Sequence, residues 1–446
     1  MFAIRTCSDL RFNSHQIMRQ GLLGLAVVVM GCLLLMPMDD VDAAEQVLSQ
    51  VPAEVLPDEA DLIPWSMSRY PRFAEDSVIN VGPWLFDKPA GKHGHVQTQA
   101  DGSIAFADGT PVRFWGTTLA FGASFPEKPK EIEVLADAIA AKGYNLVRFH
   151  HNDMNAKGLG FLQVNPKSNY LIEPSEMDRF DKFASELYKR GIYVYLDLID
   201  YRDLLEEDGL NVPDFEKLKK INGKGWKGLF PHPAIVNAWK RFVTEFLNHV
   251  NPYTGNRWGD EPGVVTIEII NENGLFWDWS FKLTDSMTQW HNQQWNQWLV
   301  KRYGTREKLD KAWTDLEGTH GLFANEDPTK NTVFAPRLMA FTKWDRPHRS
   351  KTRGASRVND YFNYLSETAA DFYRDATQHI RSLGYKGLVL GSHELYGPAN
   401  QYAEIQDGRV LAAHLYANGN TVFNARPGVT GGELEGVDLR VNNWFS

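Results

Sequence analysis

Apolar and polar positions along this chain follow two periods, one helical and one of alternating residues, and the two take turns. Short β-rich runs at 103–106 and 112–115 flank Asp108-Gly109-Thr110-Pro111, which predicts a hairpin leading into a first strand. A helical pattern over 128–142 stops at Gly143 and is followed at once by a strand over 146–150. The order repeats with a helix over 175–190, Gly191 and a strand over 193–199, then with a helix over 233–250 and a strand over 264–270. Helices over 284–303 and 359–383 and strands over 388–392 and 410–416 complete the pattern. Helix-ending glycines followed directly by β-rich runs are what βα units with a parallel sheet require. The expected fold is α/β, a (β/α)8 TIM barrel with an N-terminal hairpin, about six strands visible and the C-terminus incomplete.

Two stretches are too long for plain connectors. Residues 200–231 carry an acidic half (Leu204-Leu205-Glu206-Glu207-Asp208) and a basic half (Lys217 to Lys227); residues 304–356 follow the helix after the fourth strand. The first leaves the C-terminal end of a strand, the face on which barrel sites are built, so it reads as a cleft loop, with a solvated surface insertion as the alternative.

The N-terminus breaks the pattern. Arg11 and Arg19 precede an unbroken apolar run, 21–36, followed by Pro37 and Asp39-Asp40-Val41-Asp42-Ala43-Ala44. The run is shorter than the roughly 20 residues a bilayer span needs. The order basic, apolar, small fits a secretory signal cleaved near Ala43 or Ala44, placing the mature chain outside the cytoplasm, secreted or periplasmic. Retention as a membrane anchor and lipoprotein processing at Cys32 are the alternatives. The expected organisation is a signal peptide at 1–44, a linker at 45–64 and the barrel at 65–446. Both cysteines, Cys7 and Cys32, fall in the leader, which excludes thiol catalysis and zinc–thiolate sites from the mature chain.

Hydrophobic content of 43% supports a large core, and a net charge of −9 without a long basic run argues against nucleic acid or anionic lipid as partner. The 14 tryptophans suit either core packing or platforms for sugar rings.

The fourth strand carries the chemistry. Its apolar run ends in Ile270-Asn271-Glu272-Asn273-Gly274. An Asn-Glu pair alone occurs by chance in a chain this long, and a strand-end Glu can be merely solvated. Its place at the mouth of the fourth strand gives it weight, because glycoside cleavage needs a carboxylic acid to protonate the departing oxygen. Here the sequence resembles the barrel clan of glycoside hydrolases that includes cellulases, mannanases and β-galactosidases. The resemblance implies Glu272 as general acid/base, Asn271 bonded to the sugar hydroxyl beside the reacting carbon, and hydrolysis of a β-linked glycan, retaining and without cofactor or metal. On the second strand, period two sets Val147 and Phe149 toward the helices and Arg148 and His150 inward. The resemblance implies that an arginine there steadies the nucleophile's carboxylate. His151, Trp277, Trp279, Glu394, His414 and Tyr416 are the candidate sugar contacts. Glu268 points inward, with Arg113 as its expected partner, and Trp290 and Trp298 read as core. The segment from Trp295 to Trp313 resembles β-galactosidase-like members.

The pattern departs from the clan after Tyr416. A retaining enzyme needs a second carboxylate as nucleophile, which the resemblance places on the seventh strand, and 417–446 contain no clear β-run, so the chain as given is expected to be nearly silent in hydrolysis. A glycan-binding barrel without turnover is therefore a second reading. A third is a metal-dependent hydrolase using His150, His151 and Asp153; it ranks last because neighbouring strand residues point to opposite faces.

Overall fold

The computed structural model describes residues 80–164, 171–220, 230–272, 275, 283–314, 321–336, 355–392 and 398–406. All lie in one unit, 69–446, of the two into which the chain divides. The leader, the linker and the sixth strand expected at 410–416 lie outside the described residues.

In chain order the elements are β1 (Val96–Thr98), β2 (Ile104–Phe106), β3 (Gly116–Ala120), α1 (Pro129–Ala141), β4 (Leu146–His150), α2 (Pro174–Lys189) and β5 (Tyr193–Asp197). There follow α3 (Phe215–Lys220), α4 (Pro233–Asn248), β6 (Val264–Glu268), α5 (Asp285–Tyr303), α6 (Arg306–Trp313), α7 (Ala355–Ser382), β7 (Leu388–Leu390) and α8 (Pro398–Ile405). The helices lie within a few residues of the expected ranges. Gly143 and Gly191 adopt left-handed backbone (φ 82° and 78°) straight after α1 and α2. Each closes its helix with an N–H bond to the carbonyl three residues back, Ala140 at 2.9 Å and Tyr188 at 3.0 Å, and turns the chain into β4 and β5.

β3-β4-β5-β6-β7 form a parallel sheet of five strands in sequential order. A mixed α/β architecture with this sheet is what the βα alternation required. The hairpin differs from expectation: β1 pairs with β2, Val96 opposite Phe106, around the Asp101-Gly102 turn. The 112–115 run forms no strand, and only an isolated bridge between Ala105 and Pro111, just before it, follows the second turn. Proline has no N–H to extend that ladder, and the first parallel strand starts at Gly116.

The core lies between sheet and helices. Phe149 on β4 meets Phe180 (ring centroids 4.6 Å) and Phe183 of α2, and Phe180, Phe246 and Trp258 continue the packing. Trp239 of α4 donates its indole N–H to the Ile269 carbonyl at 3.1 Å, tying the helix to the mouth of β6. On α5 the fully buried stripe is Met287, His291, Trp295 and Leu299. Trp290 and Trp298 flank it half-buried, so the core stripe runs one residue away from the expected pair. Among the described residues no helix is long and apolar enough to cross a membrane.

Burial holds the His291 imidazole down at about 3, with Tyr361 Oη 2.7 Å from its Nε2. An unfolded histidine takes up a proton near 6.5, so below that pH the unfolded chain gains a proton that the folded chain refuses. The resulting stability is complete above pH 6.5 and is lost progressively as pH falls toward 3. Between pH 6.5 and 4.5 the loss from this group is about 2 kcal/mol. Urea unfolding of wild type and His291→Gln at both pH values measures it. The drop should be smaller in the variant by about that amount, and equal drops would show that His291 titrates normally.

Candidate functional site

The inward faces of three neighbouring strands are polar and meet at one end of the sheet. β4 presents Arg148 and His150, β5 presents Tyr195 and Asp197, and β6 presents Thr266 and Glu268. Val147 and Phe149 are fully buried on the other face, as period two requires.

Arg148 organises the centre. Its Nη2 donates to Glu268 Oε2 at 2.9 Å and to Asn271 Oδ1 at 2.7 Å, and its Nε donates to Asp197 Oδ1 at 3.1 Å. Tyr195 Oη donates to Glu268 Oε2 at 2.7 Å, and its ring packs under the guanidinium. Glu268 is therefore held by Arg148 and Tyr195. Arg113, its expected partner, instead offers its backbone carbonyl to Asn145. Arg148 and His150 both have carboxylate partners within the sheet, Asp197 for each.

The two central carboxyls differ in protonation. Burial pushes Asp197 upward, but the His150 hydrogen bond and the Arg148 charge outweigh it and hold the carboxyl far below the ordinary range. Burial and then the adjacent Asp197 charge push Glu268 well above that range, so it keeps its proton and turns it to Asp197. Burial disfavours the Arg148 charge, yet Asp197 and Glu268 more than restore it.

Beyond the strand ends the backbone is unusual. Of the four non-glycine residues with positive φ among those described, three directly follow or lie close beyond sheet strands: Phe121 (54°), His151 (58°) and Glu272 (42°). Such backbone is costly for residues with a Cβ and collects at functional positions. Asn271 and Glu272 are pinned through their backbones, Asn271 N–H to the Ile199 carbonyl (3.0 Å) and Glu272 N–H to the Ser392 carbonyl (2.6 Å). Ser392 is in turn bonded to Glu404 of α8. The Asn271 side chain is buried, accepting from Arg148 and donating to Asp200 Oδ1 at 3.2 Å, while Glu272 is half-buried.

The positive φ at His151 overturns the expected divergence of the two histidines. The chain leaves strand geometry at that residue, and the His150 and His151 rings lie 3.5 Å apart. His150 Nδ1 lies 3.3 Å from Asp200 Oδ2, and His151 Nδ1 bonds the same oxygen. Asp153 is not with them. Its buried carboxylate accepts from the backbone N–H groups of Asp200 (2.7 Å), Tyr201 (2.8 Å) and Arg202 (3.1 Å), shaping the loop that carries Asp200. That loop is partly core, since Arg202 and Asp208 form a fully buried ion pair at 2.8 Å.

The structure thus brings together Arg148, His150, His151 and Asn271, with Glu272 the next residue along the chain. Trp277, Trp279, Glu394, His414 and Tyr416 lie outside the described residues. Tyr195, Asp197 and Asp200 were missed, although period two along Tyr193-Val194-Tyr195-Leu196-Asp197 signals the first two. A groove of about 1160 Å³ between α2 and α4, lined by Asp178, Lys240 and Glu245 among others, includes none of these strand-end residues.

No family model matches the chain. A curated relative, Uncharacterized protein 391R of Invertebrate iridescent virus 6, is 30% identical over 140 residues, covering 30% of this chain and 46% of that protein. The chain therefore spans less than half the length of that relative. Among solved structures the chain is similar to an endo-1,4-beta-mannanase from Rhizomucor miehei, at 17% identity and TM-score 0.34, over 47% of this chain and 57% of that one. It is also similar to a glycoside hydrolase family 5 mannosidase from Rhizomucor miehei, at 11% identity and TM-score 0.31, over 66% and 72%. An endo-beta-1,4-mannanase from Thermotoga petrophila matches at 13% identity and TM-score 0.26, over 66% and 67%. Overlaps at these scores carry no argument for fold or reaction.

Proposed function

We propose that the five-stranded sheet belongs to a (β/α)8 barrel whose strand ends form a glycoside hydrolase site for β-linked glycan, with Glu272 as the proton donor. The observation that carries it is the Asn271-Glu272 pair at the mouth of β6, its backbone held by the Ile199 and Ser392 carbonyls and its asparagine by Arg148. Glu272 is half-buried, which lets it reach solvent and substrate. The Asn271 amide nitrogen has two N–H groups, and the Asp200 bond uses one, so the other can meet a sugar hydroxyl. We place the mature protein outside the cytoplasm, after removal of 1–44.

The test is release of reducing ends by the full chain from a panel of aryl β-glycosides, β-mannan, cellulose and agarose. Slow release from at least one is expected, at the residual level that remains without a seventh-strand nucleophile, and none from any overturns the hydrolase reading. Trp277→Ala and Trp279→Ala are each expected to weaken glycan retention in affinity electrophoresis with little change in Tm, because an indole face is a platform for a pyranose ring. Unchanged retention with a large fall in Tm would make both core residues.

A further inference from the structure

We infer that His150, His151 and Asp200 form a binding site for one divalent transition-metal ion. The inference goes beyond the glycosidase reading and does not depend on it. Each of the three residues offers a ligand atom, and these atoms lie within 4.8 Å of one another. Two imidazoles and one carboxylate are a donor set that suits zinc and its neighbours and leaves coordination positions for water or substrate.

The donors are pre-positioned. His151 is turned toward His150 by its left-handed backbone, and its ring is clamped between Phe121 (centroids 4.5 Å) and Tyr201 (4.4 Å). Asp200 is fixed twice: Asn271 donates to Oδ1, and Asp153 caps the Asp200 backbone N–H. The Asn271 bond to Oδ1 leaves Oδ2 as the oxygen that faces both imidazoles. Outer hydrogen bonds that orient ligands in this way are typical of metal centres. The histidine side chains are 13% and 15% exposed, enough for an ion to enter, whereas Asp200 is 1% exposed. The alternative is two plain His–Asp hydrogen bonds, which would bind no ion.

The experiment strips the full chain with a chelator and titrates it with Zn²⁺ by calorimetry. One equivalent is expected, with affinity reduced at least about 100-fold in His151→Gln and in Asp200→Asn, since each removes one of three ligands. His93→Gln, which removes a surface imidazole between Asp87 and Asp108, is expected to leave binding unchanged. Absence of a stoichiometric site in the wild type, or equal binding by both site variants, overturns the inference. Should either variant fail to fold, the Co²⁺-loaded wild type decides. Visible d–d bands of a low-coordinate nitrogen–oxygen site support the inference, and only the spectrum of hexaaqua Co²⁺ overturns it. Zinc binding is read without turnover, so its failure and that of the glycosidase reading are separate results.

Discussion

In a form of the protein that turns glycoside over, Glu272→Gln is expected to lower hydrolysis of glycosides with poor leaving groups by about 10²–10⁴-fold, the usual range for removing a general acid. The amide keeps the shape of the carboxyl but cannot give a proton to the departing oxygen. The fold should survive, because the backbone of Glu272 is held by the Ser392 carbonyl and its side chain is half-buried. The leaving group provides the internal control. An aryl glycoside whose phenol departs without protonation should lose much less than a polysaccharide, so the ratio of the two rates separates a lost proton donor from general damage to the site. Wild-type rates on both would remove Glu272 from the mechanism, and equal losses on both would give it a structural role.

Arg148→Ala is expected to destabilise the protein by about 3–5 kcal/mol, as removal of one partner from a buried charge cluster does. The guanidinium is the cation shared by Asp197, Glu268 and Asn271, and the Asp197 and Glu268 carboxyl groups are essentially inaccessible. Without it the ionised Asp197 keeps hydrogen bonds from His150 and Glu268 but loses its guanidinium, and the Asn271 oxygen loses its donor. Truncation also exposes the face of Tyr195 on which the guanidinium lies. Arg148→Lys should restore only part of the loss, since one ammonium cannot span three acceptors with the geometry of a planar fork. Urea unfolding at neutral pH measures both variants. A cost below about 1 kcal/mol for alanine would show that the cluster is balanced by solvent and not by Arg148.

Local pattern accounted for the parts of this protein that depend on one element at a time. Val147 and Phe149 against Arg148 and His150 could be assigned to faces because a single strand holds both sets. The ends of α1 and α2 could be placed because Gly143 and Gly191 supply a conformation other residues resist. What failed involved agreement between distant segments. Glu268 met Arg148 and Tyr195, not Arg113, because register across β4, β5 and β6 decides which inward side chains are neighbours. The hairpin was displaced because two Asp-Gly turns compete in 101–109, and only the first is flanked by strands able to pair on both sides. Asp200 came to the site because Asp153, 47 residues earlier, gathers three N–H groups of its loop. The convergence of His150 and His151 depends on one backbone angle, which alternation cannot foresee.

The left-handed backbone at Phe121, His151 and Glu272 also sets how this protein would respond to selection for heat resistance alone. Each of these residues pays a conformational penalty on the order of 1 kcal/mol that glycine would not. A library screened only for survival at high temperature would therefore gather glycine or asparagine at these three positions, and the winners would lose an aromatic clamp, an imidazole and a carboxyl together. Robustness and chemistry are in opposition at the same codons, so the residues that resist stabilisation would trace the working surface without any substrate in hand.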